Sequence, residues 1–284
     1  MQNSSPPTAA HNAQMSRRKD QLAVATVLVT GGTGTLGRAV VTCLLARQHN
    51  TRILSRQTST SPSIPRELEV ITGDLVSGDG LRKAVAGVDA IIHCASAPQN
   101  AQQVDVEGTR SLLQTAHASG PPHIIYPSIV GIDRSTYPYY IAKHETEGVI
   151  AQGPLPWTIV RATQFHDYVL RLIQSFGADT LPIVPVPQGM RFQSIDVGEV
   201  ANHLVSLMEQ GPAGHAPDMG GPQILTIEEI TGVYMRIRGR KDTIGSELPT
   251  ENRFNVFRSG INLVLDHAVD TITWEAFLHR LYDP

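Results

Sequence analysis

A tyrosine and a lysine four residues apart are the first feature of this sequence that could do chemistry. Tyr139 and Lys143 occur in the stretch YPYYIAKHE, with the spacing of one helical face. An ammonium group within a few ångströms of a phenol favours the phenolate, so it lowers the tyrosine pKa from about 10. Such a tyrosine can exchange a proton with a carbonyl or carbinol oxygen near neutral pH. Ser128, in the upstream stretch YPSIVG, adds a hydroxyl that can hold the same oxygen, and Tyr140 is the alternative acid.

A glycine-rich turn near the start of the chain predicts a nucleotide site. The stretch VTGGTGTLGRAV places Gly31, Gly34 and Gly37 between an apolar run and a helical pattern. The first glycine allows a tight turn with positive φ, the second lets the backbone approach a pyrophosphate, and the third permits close packing of helix on strand. The helix start at Thr35 and Leu36 then offers N–H groups and a positive dipole end to the phosphates. We interpret the stretch as a dinucleotide-binding turn and not as a merely flexible loop.

The ends of the next two strands bear on which dinucleotide is bound. NAD-binding proteins usually place an acidic residue after the second strand, whereas this strand ends in LSRQ, with Ser55 and Arg56. A guanidinium can hold a 2′-phosphate in a bidentate manner, so Arg56 and also Arg38 favour NADP over NAD. The alternative is that both arginines are ordinary surface charges. Asp74 and Leu75, after the third strand, are placed to contact the adenine, or Asp74 caps the next helix.

Small residues follow the fourth strand. Cys94, Ala95 and Ser96, in the stretch HCASAP, would let the middle of the cofactor approach the backbone. We interpret His93 as a core histidine with satisfied nitrogens and not as a ligand or base. Cys43 and Cys94 lie in apolar contexts and are predicted to be buried thiols without a disulfide, because no secreted-type framework is visible. The sequence predicts no metal site.

Alternating strand and helix patterns must position these residues. Apolar, β-branched strand patterns occur at 23–30, 51–56, 68–75, 89–96, 123–131 and 157–163, with helical patterns between them. This βαβαβ arrangement, present twice, predicts an α/β fold with a doubly wound parallel sheet (Rossmann fold) in the order 3-2-1-4-5-6. We expect a disordered tail over 1–21 and the dinucleotide-binding domain over 22–163. A small C-terminal substrate-binding region, partly returning to the first domain, is expected over 164–284.

Substrate contacts are expected just after the sixth strand. Gln164, Phe165 and His166 form a mixed polar and aromatic set, although Phe165 is equally suited to core packing and His166 to a loop hydrogen bond. The later stretch LPIVPVPQGMRFQ is predicted to be irregular and to form an apolar lid that carries Met190 and Phe192. These features favour a small, rather apolar substrate.

Composition excludes several functional classes. The 284 residues include 23 basic and 26 acidic ones, for a formal charge of −3, so the chain lacks the basic excess typical of nucleic-acid binding. No apolar run reaches the ~18 residues that a membrane-spanning helix needs. The N-terminal stretch lacks the apolar core of a signal peptide. We therefore expect a cytoplasmic protein that contacts neither nucleic acid nor membrane.

These motifs together resemble a known superfamily. TGGTGTLG, GDL, HCAS, DVEGT, YPSIVG and YYIAK come in the order seen in short-chain dehydrogenases/reductases. The chain is most similar to the atypical NAD(P)-binding branch, which includes NmrA-like and NAD-dependent epimerase/dehydratase-like proteins, over about residues 24–163. The resemblance implies a nicotinamide cofactor and a catalytic Ser128, Tyr139 and Lys143. The chain departs from the family at Asp105, where Asn is common, at Pro127, and in the short loop between Ser128 and Tyr139.

The sequence therefore predicts an NADP-dependent oxidoreductase. A hydride would pass between the nicotinamide and a small, rather apolar carbonyl compound, quinone or hydroxy compound. The alternative is a non-catalytic NAD(P)-binding redox sensor of NmrA-like type, and a sugar epimerase ranks third. The expected partner is a small-molecule substrate, and by analogy with the family alone, a homodimer.

Overall fold

A seven-stranded parallel sheet forms the centre of the protein. The computed structural model describes residues 24–56, 68–240, 243–247, 254–265, 268–269 and 271–283, so the predicted tail over 1–21 lies outside the described residues. The sheet has the order β3-β2-β1-β4-β5-β6-β9, and each neighbouring pair is parallel. Its strands are β1 (Thr26–Thr30), β2 (Asn50–Ser55), β3 (Glu69–Thr72), β4 (Ala90–His93), β5 (His123–Ile129), β6 (Trp157–Ala162) and β9 (Gly214–His215). The predicted fold class and strand order are confirmed, with one extra short strand beyond β6.

Helices flank the sheet on both faces. The α-helices of the described ranges are α1 (Thr35–Ala46), α2 (Leu81–Val85), α3 (Gly108–Ala118), α4 (Pro138–Ala151), α5 (His166–Ser175), α6 (Val197–Gln210), α7 (Ile227–Ile237), α8 (Asn255–Ser259) and α9 (Trp274–Tyr282), and the last three pack in the C-terminal region. A π-helical segment, Gln102–Glu107, leads directly into α3. None of the helices in the described ranges has the length and apolar character needed to span a bilayer.

The central strands are buried because apolar side chains cover both of their faces. Val27, Leu28 and Val29 of β1 are fully buried, as the continuous apolar run predicts for a parallel strand between two helical layers. The strands end earlier than the sequence patterns do. Residues 73–75 and 94–96 therefore lie in loops beyond β3 and β4, at the carboxyl edge of the sheet where α/β folds bind ligands.

A second apolar cluster organises the C-terminal region, and it corrects the predicted lid. Met190 and Phe192 are fully buried in this cluster, together with Tyr234 of α7 and Trp274 of α9. The proline-rich stretch is not irregular, because it contains β7 (Ile183–Pro187), which pairs in parallel with β11 (Thr243–Glu247). β8 (Arg191–Phe192) pairs with β10 (Leu225–Thr226). Because Met190 and Phe192 are packed inside this cluster, the stretch that carries them is part of a core and does not form a movable lid.

Helix α6 returns the chain to the nucleotide side of the sheet. It packs against α1 in the main core, and Asp196 caps its first turn through Gly198 N at 2.8 Å. Near its end, Glu209 pairs with Arg47 at 2.7 Å and with His49 at 3.1 Å. These contacts fix α1, and with it the glycine turn. The domain boundaries themselves stay a prediction.

Candidate active site

The glycine turn is so tight that two of its glycines have no room for a side chain. Gly31 adopts φ +66°, and a Cβ there would lie 2.7 Å from Ala95 Cα. A Cβ on Gly37 would lie 2.1 Å from the carbonyl oxygen of Gly31. Both contacts are with backbone atoms, which cannot swing away. The conformational and packing roles that the sequence assigned to these two glycines are confirmed.

The N-terminus of α1 has no side-chain cap, so its first N–H groups are available to bind a phosphate. Gly34 is its N-cap, with extended backbone, and no side chain caps the helix. A Cβ on Gly34 would meet only the Gly31 oxygen, at 3.3 Å. The first N–H groups of the helix, beginning at Thr35 and Leu36, thus face a cradle that a side chain would fill. This cradle fits a cofactor phosphate.

The residues expected to select NADP lie at the end of β2 and in the first turn of α1. Ser55 is buried at the last position of β2, and no carboxylate takes its place. Arg38 and Arg56 are both exposed, and within the described ranges neither forms an ion pair or a side-chain hydrogen bond. Their positions agree with a role toward a 2′-phosphate and equally with ordinary surface charges.

The loop after β3 corrects one sequence interpretation. Asp74 caps no helix, because α2 begins at Leu81 with Gly80 as its N-cap. The Asp74 carboxylate instead accepts a hydrogen bond from Val76 N at 2.6 Å, within its own turn. Leu75 is buried in the apolar cluster that includes the α2 and α3 side chains.

Tyr139 and Lys143 lie on the first turns of α4, and each is connected to the same carboxylate, Tyr139 through hydrogen bonds and Lys143 through an ion pair. Pro138 starts this helix at a position where proline is favourable. The Tyr139 hydroxyl lies 2.9 Å from Ser96 Oγ, and Ser96 Oγ donates to Asp105 Oδ1 at 2.6 Å. Lys143 Nζ lies 4.0 Å from the same Oδ1. The two predicted catalytic side chains are therefore joined through one buried carboxylate.

Burial sets the protonation of both groups. It lowers the pKa of Lys143 to about 8, while the nearby Asp105 and Glu147 carboxylates oppose that shift. Burial raises the pKa of Tyr139 to about 12, and the Asp105 charge adds to the rise. The expected lowering of the Tyr139 pKa is therefore wrong for the protein alone, because loss of solvent around the phenol raises the pKa more than the Ser96 hydrogen bond lowers it. Tyr139 is a protonated phenol at neutral pH.

Ser128 is not the hydroxyl that meets Tyr139. It is buried near the end of β5, and its Oγ has no hydrogen-bond partner among the described residues. Tyr139 bonds to Ser96 instead. Tyr140, the alternative acid, is buried with its hydroxyl 3.5 Å from Gln164 Nε2, and burial raises its pKa far above the usual value.

The three predicted substrate residues all have structural contacts. Gln164 Oε1 accepts from Asn262 Nδ2 at 3.2 Å. Phe165 is half-buried and packs against the main core, which is one of the two roles offered for it. His166 is buried, with Nδ1 2.8 Å from Ser194 Oγ and Nε2 3.0 Å from Ile272 O. For His166, the structure contains the loop hydrogen bonds that the sequence offered as the alternative.

His93 is as expected, and the two cysteines are free thiols as predicted but only partly buried. Both ring nitrogens of His93 have partners, Thr30 Oγ1 at 2.6 Å and Thr109 Oγ1 at 2.8 Å, and burial lowers its pKa to about 3. The interpretation as a core histidine is confirmed. Cys43 and Cys94 are free thiols. Burial raises the pKa of Cys94 to about 12, so it is unsuited to act as a nucleophile.

The loop after β4 joins the nucleotide turn to the chemical groups. Ala95 lies directly under Gly31, and the next residue, Ser96, bonds to both Tyr139 and Asp105. The sequence identified Ser96 only as a small residue, and it identified Asp105 only as a departure from the family pattern. The hydrogen bond between Ser96 and Asp105 depends on how the loop after β4 and the π-helical segment pack together, so no local sequence signal predicts it.

Comparisons with known proteins identify the family of this chain. A family model described as NAD(P)H-binding matches residues 31–209. A 3-beta-hydroxysteroid dehydrogenase from Mycolicibacterium neoaurum is 35% identical over 113 residues. Those residues make up 35% of this chain and 31% of that protein, so the match spans about a third of its length.

Two further proteins match over more of the chain. A (4-alkanoyl-5-oxo-2,5-dihydrofuran-3-yl)methyl phosphate reductase from Streptomyces griseus subsp. griseus is 28% identical over 219 residues, which cover 75% of this chain and 74% of that protein. The crystal structure of an NADPH-dependent quinone oxidoreductase from Escherichia coli, in complex with NADPH, superimposes with a TM-score of 0.77 at 16% identity. That superposition covers 90% of this chain and 99% of the other and demonstrates a shared fold.

Proposed function

Because this chain belongs to the NAD(P)H-binding family, we propose that it is an NADP-dependent oxidoreductase acting on a small, rather apolar carbonyl compound or quinone, or on the corresponding hydroxy compound. The observation that carries the proposal is the network of Tyr139, Ser96, Asp105 and Lys143 at the carboxyl edge of the sheet. Ser96 of this network directly follows Ala95, which packs against Gly31 of the glycine turn.

The protein's part in cofactor binding follows from the cradle. Gly34 and the N–H groups at the start of α1 hold the phosphates, and Arg56 faces the 2′-phosphate at the end of β2. Lys143, at the other end of the site, holds the nicotinamide ribose hydroxyls. The bound cofactor supplies the hydride.

Tyr139 supplies the proton. Its pKa of about 12 keeps the phenol protonated at neutral pH, so it donates to the substrate oxygen as that oxygen gains negative charge. A protonated acid at this position supports reduction of a carbonyl as the favoured direction. Lys143 and the Ser96 hydroxyl orient the phenol and balance the charge that proton transfer leaves on it.

An aromatic cluster supports the substrate class. The rings of Tyr137, Tyr139 and Tyr140 lie with their centroids 5.7 to 6.4 Å apart, and Tyr137 and Tyr139 are only half-buried. Aromatic faces beside the proton donor favour a flat, apolar carbonyl compound over a charged sugar nucleotide.

The test is NADPH oxidation by the full chain against a panel of quinones, aldehydes and ketones. Tyr139→Phe should lower kcat by roughly a hundredfold or more, because it removes the acid and little of the ring contact. Tyr282→Phe, on α9 in the C-terminal cluster, is the matched control and should leave turnover unchanged. Turnover that survives in Tyr139→Phe would remove this residue from the mechanism.

The same assay separates the enzyme from the redox sensor. We expect NADPH to bind more tightly than NADH and to be oxidised by at least one compound of the panel. NADPH binding without turnover of any compound would overturn the enzyme and support a dinucleotide sensor of NmrA-like type. Equal or tighter binding of NADH would overturn the preference for NADP.

A further inference from the structure

We propose that Asp105 is a positioning residue, whose one carboxylate holds the Ser96 hydroxyl against Tyr139 and faces the Lys143 ammonium. This inference rests on the proposed function, because it takes Tyr139 and Lys143 to be the reacting pair. It goes further by naming the group through which the two are set. A single buried negative charge then controls both the orientation of the acid and the charge of the lysine.

The carboxylate is held on all sides. Asp105 is 1% exposed, in the π-helical segment before α3, and such segments are frequent at functional sites. Its Oδ1 accepts from Ser96 Oγ at 2.6 Å and its Oδ2 from Ala97 N at 3.0 Å. The hydroxyl of Thr109 donates to its backbone oxygen. Neither the side chain nor the backbone of Asp105 is therefore able to turn away from Lys143.

Several titratable groups surround the Lys143 ammonium. The end of β4, the strand β5, the π-helical segment and α4 contribute them, and they are His93, Cys94, Tyr126, Asp105 and Glu147. Only two of them are carboxylic acids. Glu147 is already paired with Arg161 through two hydrogen bonds, at 2.9 and 2.7 Å.

Asp105 has no such partner. Among the described residues, Lys143 is the one basic side chain within 4.0 Å of the Asp105 carboxylate. Lys143 is itself buried and also rests 4.1 Å from the centroid of the Tyr126 ring. Asp105 is therefore the counter-charge that opposes the loss of the lysine proton by burial.

Replacing Asp105 by asparagine removes the charge and keeps the shape. The amide oxygen can still accept from Ser96, but burial of Lys143 is then unopposed by the nearest charge. Lys143 should lose its proton at a pH about one to two units lower than in the parent protein. If activity requires the Lys143 ammonium, the alkaline limb of the pH–activity profile should move to lower pH by the same amount.

The direct measurement is the titration of Lys143 by NMR in protein carrying 13C-labelled lysine, with Lys143→Arg to assign the resonance. The parent midpoint is expected at about 8. Asp105→Asn should move it down by about one to two pH units. Glu107→Gln, an exposed carboxylate in the same segment paired with Arg110, is the matched control and should not move it.

Two outcomes overturn the electrostatic part of the inference. One is an unchanged midpoint in Asp105→Asn. The other is a parent midpoint well below 8, because Lys143 would then lose its proton although Asp105 lies beside it, and this result decides the matter even if Asp105→Asn does not fold. Neither depends on cofactor or turnover, so a failed proposed function is recognised separately, by absent NADPH binding or absent turnover in the parent protein.

Ser96→Ala tests the positioning part. It removes the hydroxyl that joins Asp105 to Tyr139 and leaves the carboxylate in place. We expect kcat to fall by roughly tenfold or more, with the NADPH dissociation constant and the Lys143 midpoint unchanged. An unchanged kcat in an active parent background would overturn the link from Asp105 to Tyr139.

Discussion

Two substitutions in the glycine turn, at Gly34 and Gly37, can distinguish its role in packing from its role in cofactor binding. In Gly37→Ala the new Cβ would lie 2.1 Å from the Gly31 oxygen, 2.7 Å from Gly31 C and 2.8 Å from Gly32 Cα. Carbon and oxygen atoms approach only to about 3.3 Å in favourable contacts, so α1 and the turn must separate by about 1 Å. All three contacts are with backbone, so no side chain can relieve them.

The cost of that separation has two parts. Overpacking of this kind costs about 1–3 kcal/mol in the free energy of unfolding. The hydrogen bond from Gly34 N to Gly31 O, 2.9 Å long, crosses the same gap, and its loss adds about 1 kcal/mol. We therefore expect Gly37→Ala to be destabilised by about 2–4 kcal/mol in urea unfolding and to bind NADPH at least tenfold more weakly.

Gly34→Ala should behave differently. Its φ of −77° suits alanine, and its Cβ would have one close contact, at 3.3 Å. We expect its stability to stay within about 1 kcal/mol of the parent, because that single contact needs only a small shift. Its NADPH affinity should fall at least tenfold, because the methyl group enters the phosphate cradle.

Gly148→Ala in α4 is the matched control, since a Cβ there would meet only Gln152 Nε2, at 3.9 Å. It should gain about 0.5–1 kcal/mol and leave NADPH binding unchanged. Two results would refute the reasoning. Parent-like stability in Gly37→Ala would show that the turn is not tightly packed. Parent-like NADPH affinity in Gly34→Ala would show that the phosphates lie elsewhere.

Three other substitutions or conditions give further checks. Arg56→Glu should weaken NADPH binding at least tenfold and NADH binding much less, and equal losses in fluorescence titration would contradict a role toward the 2′-phosphate. Arg161→Ala should lower the free energy of unfolding by about 3–5 kcal/mol, because it leaves the buried Glu147 carboxylate without its partner. Burial lowers the pKa of His93 to about 3 and that of His123 to about 4, so each binds a proton in the unfolded chain before it does so in the folded protein. The free energy of unfolding should therefore fall as the pH drops below about 6.5, and a flat profile between pH 6.5 and 4 would contradict this.

The Rossmann architecture was predictable because its signals are local. Each buried strand is a short apolar run, each helix has its own periodicity, and parallel strands joined by helices leave few topologies. The glycine turn was predictable for the same reason, since positive φ at Gly31 and the tight contact of Gly37 occur within seven residues. The lid prediction was wrong because an apolar stretch with prolines has the same sequence pattern whether it covers a site at the surface or packs into a core. Met190 and Phe192 are buried in a second core.

The candidate site divides along the same line. The sequence identified Tyr139 and Lys143 because one helical turn joins them, and a turn's geometry depends only on spacing. It expected the Ser128 hydroxyl to hold the substrate oxygen beside Tyr139, which stays a prediction, whereas the hydroxyl that bonds to Tyr139 itself is that of Ser96, 43 residues away. Whether the residues after β4 or those after β5 contact Tyr139 depends on where these two strands end. Strand ends are determined by pairing with neighbouring strands, which the local sequence does not reveal.

By itself the sequence determined the fold class, the nucleotide turn and the tyrosine–lysine pair. Each of these follows from residues close together in the chain. Only the tertiary structure decided that Asp105 lies between Ser96 and Lys143 and that Tyr139 keeps its proton at neutral pH. Both depend on burial and on charges brought from distant segments, and the free energy of an ionised group follows its surroundings and not its position in the chain.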